Sequence, residues 1–129
     1  MSTSFTRPAP PYYAVIIRSR LSGEDHENYE AMNTRMAELG RGWPGYLGRE
    51  SLTGADGGEL TVLYYADEES IASWKADPEH LEAQRLGRDR WYDFYDIEIA
   101  RVERAYGFRR ENGRPGHGDG EAGHENGRS

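Results

Sequence analysis

Between two runs rich in β-branched and aromatic residues stands Thr53 to Gly58, TGADGG, the strongest local turn signal in the chain. Asp-Gly-Gly tolerates the left-handed backbone that a tight hairpin needs, so the flanking runs are expected to pair antiparallel. The returning strand is Glu59 to Ala66, with Leu60, Val62 and Tyr64 on one face and Thr61, Leu63 and Tyr65 on the other. Apolar residues on both faces call for cover on both sides. The incoming strand, Tyr46 to Leu52, contains Gly48, where a bulge is expected.

The rest of the chain falls into place around that hairpin. Tyr12 to Arg20 (YYAVIIRSR) reads as a central strand. After it Asp25 is placed to cap a helix carrying Tyr29, Met32, Met36 and Leu39 at spacings of three and four, ended by the glycines and Pro44 of GRGWPG. Asp67 caps a second helix, with Glu68 and Glu69 in its acid-favouring first turn and Ile71 and Trp74 facing inward. Pro78 interrupts it and, behind Asp77, starts another helical segment, PEHLEAQRLGRDRWYDFY. At 3.6 residues per turn His80, Gln84, Gly87 or Arg88, and Trp91 share a stripe, flanked by Leu81 and Leu86, and Gly87 lets the stripe approach another surface. An imidazole, an amide and an indole turned inward need partners or a ligand; the alternative is that His80 and Gln84 bond backbone at the edge of a core. A last strand is expected over Tyr95 to Phe108, with its phase slipping near Ala100 between Ile97, Ile99 and the later Val102, Ala105 and Tyr106.

This order, strand, helix, hairpin, broken helix, strand, is the α+β ferredoxin-like βαββαβ plan, an antiparallel sheet with helices on one face. The other face needs a cover, and a second copy packed sheet to sheet would supply it, so a homodimer is expected with the last strand reaching over its partner. The chain of 129 residues suits one domain, placed at residues 12–108 behind a lead-in at 1–11 and before a Gly-rich tail at 109–129 that holds His117 and His124. Cysteine is absent, which removes thiolate chemistry and disulfides and fits a cytoplasmic home. A net charge of −7 argues against nucleic acid as a partner, and no run approaches the roughly 20 apolar residues of a membrane span.

Residues Tyr12 to Phe108 resemble the antibiotic biosynthesis monooxygenase family of the dimeric α+β barrel group. The segments that carry the resemblance are YYAVIIRSR, AELGRGWPGYLG, TVLYYADEESIASW and PEHLEAQRLGRDRWYDFYDIEIARVERAYGF. The resemblance implies a pocket between helices and sheet, and for some members oxygenation of aromatic substrates with neither metal nor organic cofactor. The tryptophan and asparagine of quinone-forming members correspond to Tyr65 and Thr61, so that apparatus is missing. In haem-degrading members a histidine follows the equivalent of Trp74; its place holds Gln84, with His80 one turn early.

Cofactor-free oxygenation needs a base, a donor for the developing oxyanion and an apolar hollow. His80 is the expected base, Gln84 its orienting neighbour, and Arg88 and Arg18 the cations for an enolate or phenolate. Trp74, Trp91, Tyr64 and Tyr95 are the expected stacking walls for an aromatic ligand. A non-catalytic ligand-binding module and a haem-binding protein are the competing readings.

Overall fold

The hairpin forms as its turn chemistry requires. In the computed structural model, which describes residues 7–110, Gly57 takes φ +90°, Gly54 N–H donates to the Gly58 carbonyl at 2.8 Å, and the Asp56 carboxylate accepts from Gly58 N–H at 2.9 Å. The strands it joins, β2 (Tyr46–Thr53) and β3 (Gly58–Tyr65), pair antiparallel. Their register shifts between Tyr46 and Gly48, so the expected bulge is present, with Gly48 at φ +149°. Strand β1 (Tyr12–Leu21) pairs with β3 on one side and with β4 (Tyr92–Val102) on the other, all antiparallel, giving the order β2-β3-β1-β4. This is the ferredoxin-like arrangement.

Helix α1 (His26–Arg41) follows β1, and α2 (Glu68–Ala76) and α3 (Pro78–Leu86) follow β3. Asp67 caps α2 by accepting from Ser70 N–H, and Asp77 ends α2 while its carboxylate accepts from the N–H groups of Glu79 and His80 to start α3. Asp25 departs from expectation. It stands at the start of α1 with φ +55°, and its side chain caps nothing; the carboxylate accepts instead from Asn28 and, across the fold, from Arg90 and Trp91. The long-range partners outcompete the helix end because the buried Trp91 N–H has to be satisfied.

The helices lie on one sheet face, where Val15, Tyr65, Ile71 and Trp74 form a core with Tyr13, Ile17, Met36, Leu39 and Leu63 around it. On the opposite face Tyr12, Ala14 and Tyr64 make a smaller cluster with Ile16, Val62 and Val102. The last strand differs from the expected one. It begins at Tyr92, ends at Val102, and runs straight past Ala100, while its register shift lies opposite Arg20 and Leu21 at its start. The apparent phase slip has a simpler cause: Ile97 and Ile99 serve the helix side and Val102 the other side, so one regular strand supplies apolar residues to both faces. Residues 103–110 continue without regular structure. Residues 1–6 and 111–129, with most of the lead-in and tail and both tail histidines, lie outside the described residues.

Candidate functional site

Between the helices and the sheet is a cavity of about 410 Å³. Its floor comes from residues of one sheet face, Val15, Ile17 and Ser19 on β1, Thr61 and Leu63 on β3, and Ile97 and Ile99 on β4. Nothing among the described residues fully covers the β4 side: Ile97 and Ile99 stay about half exposed at 47% and 49%. An apolar hollow with a few polar groups and one open side is the usual form of a small-molecule site.

One wall is built from stacked rings. Trp74 meets Trp43 edge to face at 5.2 Å, and on its other side the His80 imidazole stacks nearly parallel at 4.6 Å and 28°. Trp43 is fixed by donating from Nε1 to Ser73 Oγ at 3.0 Å, and Trp74 lies against buried Gly40 of α1. Arg35 of α1 forks onto Glu79 at 2.7 and 2.9 Å, tying α1 to the first turn of α3 just before His80. His80 is therefore held by a stack, a cap and a neighbouring ion pair. Its Nδ1 is buried and makes no hydrogen bond of good geometry among the described residues, although the Trp74 backbone acts on the imidazole as an acceptor. Burial lowers the pKa of the imidazole from its usual value; the Trp74 carbonyl and the Asp77 charge act in the opposite sense without reversing it. The shift favours the neutral ring, the form a general base requires.

After α3 the chain widens into a π-helical turn, Gly87–Trp91. Such turns are rare and arise where the regular helical ladder has to yield to side-chain packing. Here a Cβ on Gly87 would lie 3.0 Å from the Tyr92 ring, so the glycine is what lets that ring pack against the turn. Tyr92 in turn meets Tyr29 at 6.0 Å and Tyr95 at 5.6 Å, both edge to face. Burial raises the Tyr29 hydroxyl well above the ordinary phenol value and raises that of Tyr92.

The structure brings His80, Gln84, Trp74 and Tyr95 to the cavity wall, with Gly87 beside them. It separates the other expected site residues from them. Trp91 is buried at 3% exposure behind the wall, edge-on to Tyr29 and donating to Asp25 at 3.2 Å, because the π-turn rotates it off the stripe. Arg88 is exposed and reaches only the Tyr95 hydroxyl at 3.5 Å. Tyr64 and Arg18 point to the opposite sheet face by strand alternation; Tyr64 donates to Glu50 at 2.9 Å and Arg18 pairs with Glu98 at 3.0 Å.

Several cavity residues escaped the sequence reading, among them Tyr29, Asn33, Tyr46, Arg49, Glu59 and Lys75. Simple alternation from Tyr46 sends Arg49 to the wrong face; the bulge at Gly48 restores it to the cavity, and that glycine was the available signal. Among the described residues, no three acidic or histidine side chains come together as a metal-ligating cluster, and no helix is long and apolar enough to cross a membrane.

A four-stranded antiparallel sheet with helices on one face is the fold shared with the antibiotic biosynthesis monooxygenase proteins. SnoaB of Streptomyces nogalater, a cofactor-independent oxygenase, superimposes with a TM-score of 0.63 over 74% of this chain and 97% of its own, at 15% identity. Rv0793 of Mycobacterium tuberculosis gives 0.61 over 73% and 98%, at 20% identity. A candidate antibiotic biosynthesis monooxygenase of Nitrosomonas europaea gives 0.61 over 75% and 94%, at 15% identity. In sequence, the chain is 40% identical over 97 residues to the uncharacterized protein YqjZ of Bacillus subtilis, covering 75% of this chain and 84% of YqjZ. It belongs to the same family as YqjZ. No family model matches the chain.

Proposed function

We propose that this protein is a cofactor-independent monooxygenase that oxidises an aromatic or quinone-type small molecule with O2. The observation that carries the reading is His80: a half-buried imidazole, its pKa lowered by burial, stacked on Trp74 at the wall of an apolar hollow. In the proposed reaction His80 takes a proton from an activated ring CH2, the resulting carbanion reduces O2 and forms a carbon-bound peroxide, and loss of water leaves the ketone. The balance is CH2 + O2 giving C=O + H2O, so the substrate supplies all four electrons. Gln84, one turn after His80, is the neutral donor for the developing oxyanion, and Trp74 and Tyr95 are the surfaces on which a planar ring rests. SnoaB, with the same fold, is named as an oxygenase that works without cofactor, which agrees with this reading.

The working unit in this proposal is a homodimer. The sheet face away from the helices carries Ile16, Val62 and Val102 around its small core and leaves Leu52 and Leu60 exposed, a surface suited to the same face of a second copy. Oxygen uptake with hydroxyanthrone substrates tests the chemistry. Turnover in the native protein that is lost in His80→Ala supports the assignment; equal turnover in both removes His80 from the reaction.

A further inference from the structure

The described part of this acidic chain pairs most of its cavity-remote arginines. Arg7, Arg18, Arg20, Arg35, Arg85 and Arg90 each meet a carboxylate within 4 Å. Two cations on the cavity wall do not. Arg49, and Lys75, the only lysine in the sequence, form no ion pair or hydrogen bond among the described residues, although the chain has 23 acidic side chains against 16 basic ones. We infer that the cavity selects a planar ring that bears a carboxylate, with Arg49 and Lys75 as the residues that recognise the anionic group.

Three further facts support this assignment. The charge of Arg49 is felt by the hydroxyls of Tyr46, Tyr65 and Tyr92, all cavity residues, and the charge of Lys75 by His80, although Glu59 acts more strongly on Tyr92 and Asp77 on His80. The cavity's own carboxylate, Glu59, forms no ion pair with Arg49. It lies four residues along β3 from Leu63, the strand partner of Arg49, a separation of about 13 Å at the usual strand rise. An aromatic carboxylic acid is ionised at pH 7, as a side-chain carboxyl is. Binding such a group away from the reacting carbon lets contacts with the unreactive part of the substrate orient the ring beside His80.

The inference rests on the cavity being an aromatic-ligand site, and its test separates binding from turnover. Calorimetry under anaerobic conditions compares an anthraquinone monocarboxylate with the matching neutral carboxamide, using the full chain, Arg49→Gln, Lys75→Gln, the double variant and Arg104→Gln as an exposed control outside the cavity. The native protein and the control should prefer the acid by about tenfold, as two solvent-facing ion contacts together supply. That preference should shrink in each single variant, vanish in the double variant, and weaken with added salt while amide binding does not. Equal affinity for acid and amide, a preference that survives the double substitution, or no binding of the acid at millimolar concentration overturns the inference. Acid preference without oxygen uptake on any anthrone supports it and refutes the monooxygenase reading. Uptake on neutral anthrones without acid preference does the reverse.

Discussion

Replacing His80 by Phe separates the cost of its buried nitrogen from its packing. Phe keeps a flat ring on Trp74, so the stacking contact, worth about 0.5–1.5 kcal/mol beyond area, is retained. It removes Nδ1, which is buried and makes no hydrogen bond of good geometry, and an unsatisfied buried polar atom costs about 1–3 kcal/mol. The slightly larger ring has the cavity beside it to occupy, so overpacking is minor. The variant should therefore be more stable than the native protein by about 1–2 kcal/mol at pH 8, a rise in melting temperature of roughly 4–15 °C for a domain of this size. The pH dependence has a definite sign. The folded-state pKa of His80 lies below the unfolded value of about 6.5, so the unfolded chain binds the extra proton first and native stability falls as pH drops through that window. His80→Phe lacks this term, and its advantage should grow as the pH is lowered from 8 towards the depressed folded value. Thermal melts by circular dichroism at several pH values measure both effects. A variant less stable than the native protein by about 1 kcal/mol or more at pH 8 would show that Nδ1 is satisfied in solution, and the reasoning that sets His80 apart would fail.

Three further outcomes follow from the packing. Gly45→Ala should lower stability by about 2–4 kcal/mol in denaturant melts, because its φ of +86° disfavours a side chain and the new Cβ would collide with the Ser70 hydroxyl. In Asp25→Ala the buried Trp91 N–H and Arg90 lose their shared acceptor, so the tryptophan emission should shift and hydrogen exchange in the π-turn should quicken. The hydrogen bond from Trp91, followed by those from Arg90 and Asn28, holds the Asp25 carboxyl below its usual value, so its contribution is present above about pH 4 and lost in acid as it protonates. Val62→Glu on the sheet face away from the helices should shift the proposed homodimer to monomer in sedimentation experiments; a dimer unchanged by this substitution would place the interface elsewhere.

Much of the fold was legible because its signals are local. Asp-Gly-Gly makes a hairpin from its own backbone preferences, Gly48 marks its bulge, and Asp67, Asp77 and Pro78 set the helix boundaries, all within a few residues. His80, Gln84 and Trp74 were legible as wall residues for the same reason: helical spacing alone turns them inward. The site's membership beyond them was not. Tyr64 and Arg18 are distinguished from Tyr65 and Ile17 only by which face of the sheet the helices cover, and that face is fixed by packing between elements distant in the chain. Trp91 left the stripe because a π-turn inserts an offset that exists only once Tyr92 has packed on Gly87 and Asp25 has accepted from the indole. Arg49 reached the cavity through a strand bulge, and its lack of an ion pair emerges only when the carboxylates of other strands and helices have taken their places. Sequence thus determined the elements and their order, since those follow from short-range backbone and capping energies; tertiary structure decided which side chains share the hollow, since that depends on contacts made across the whole chain.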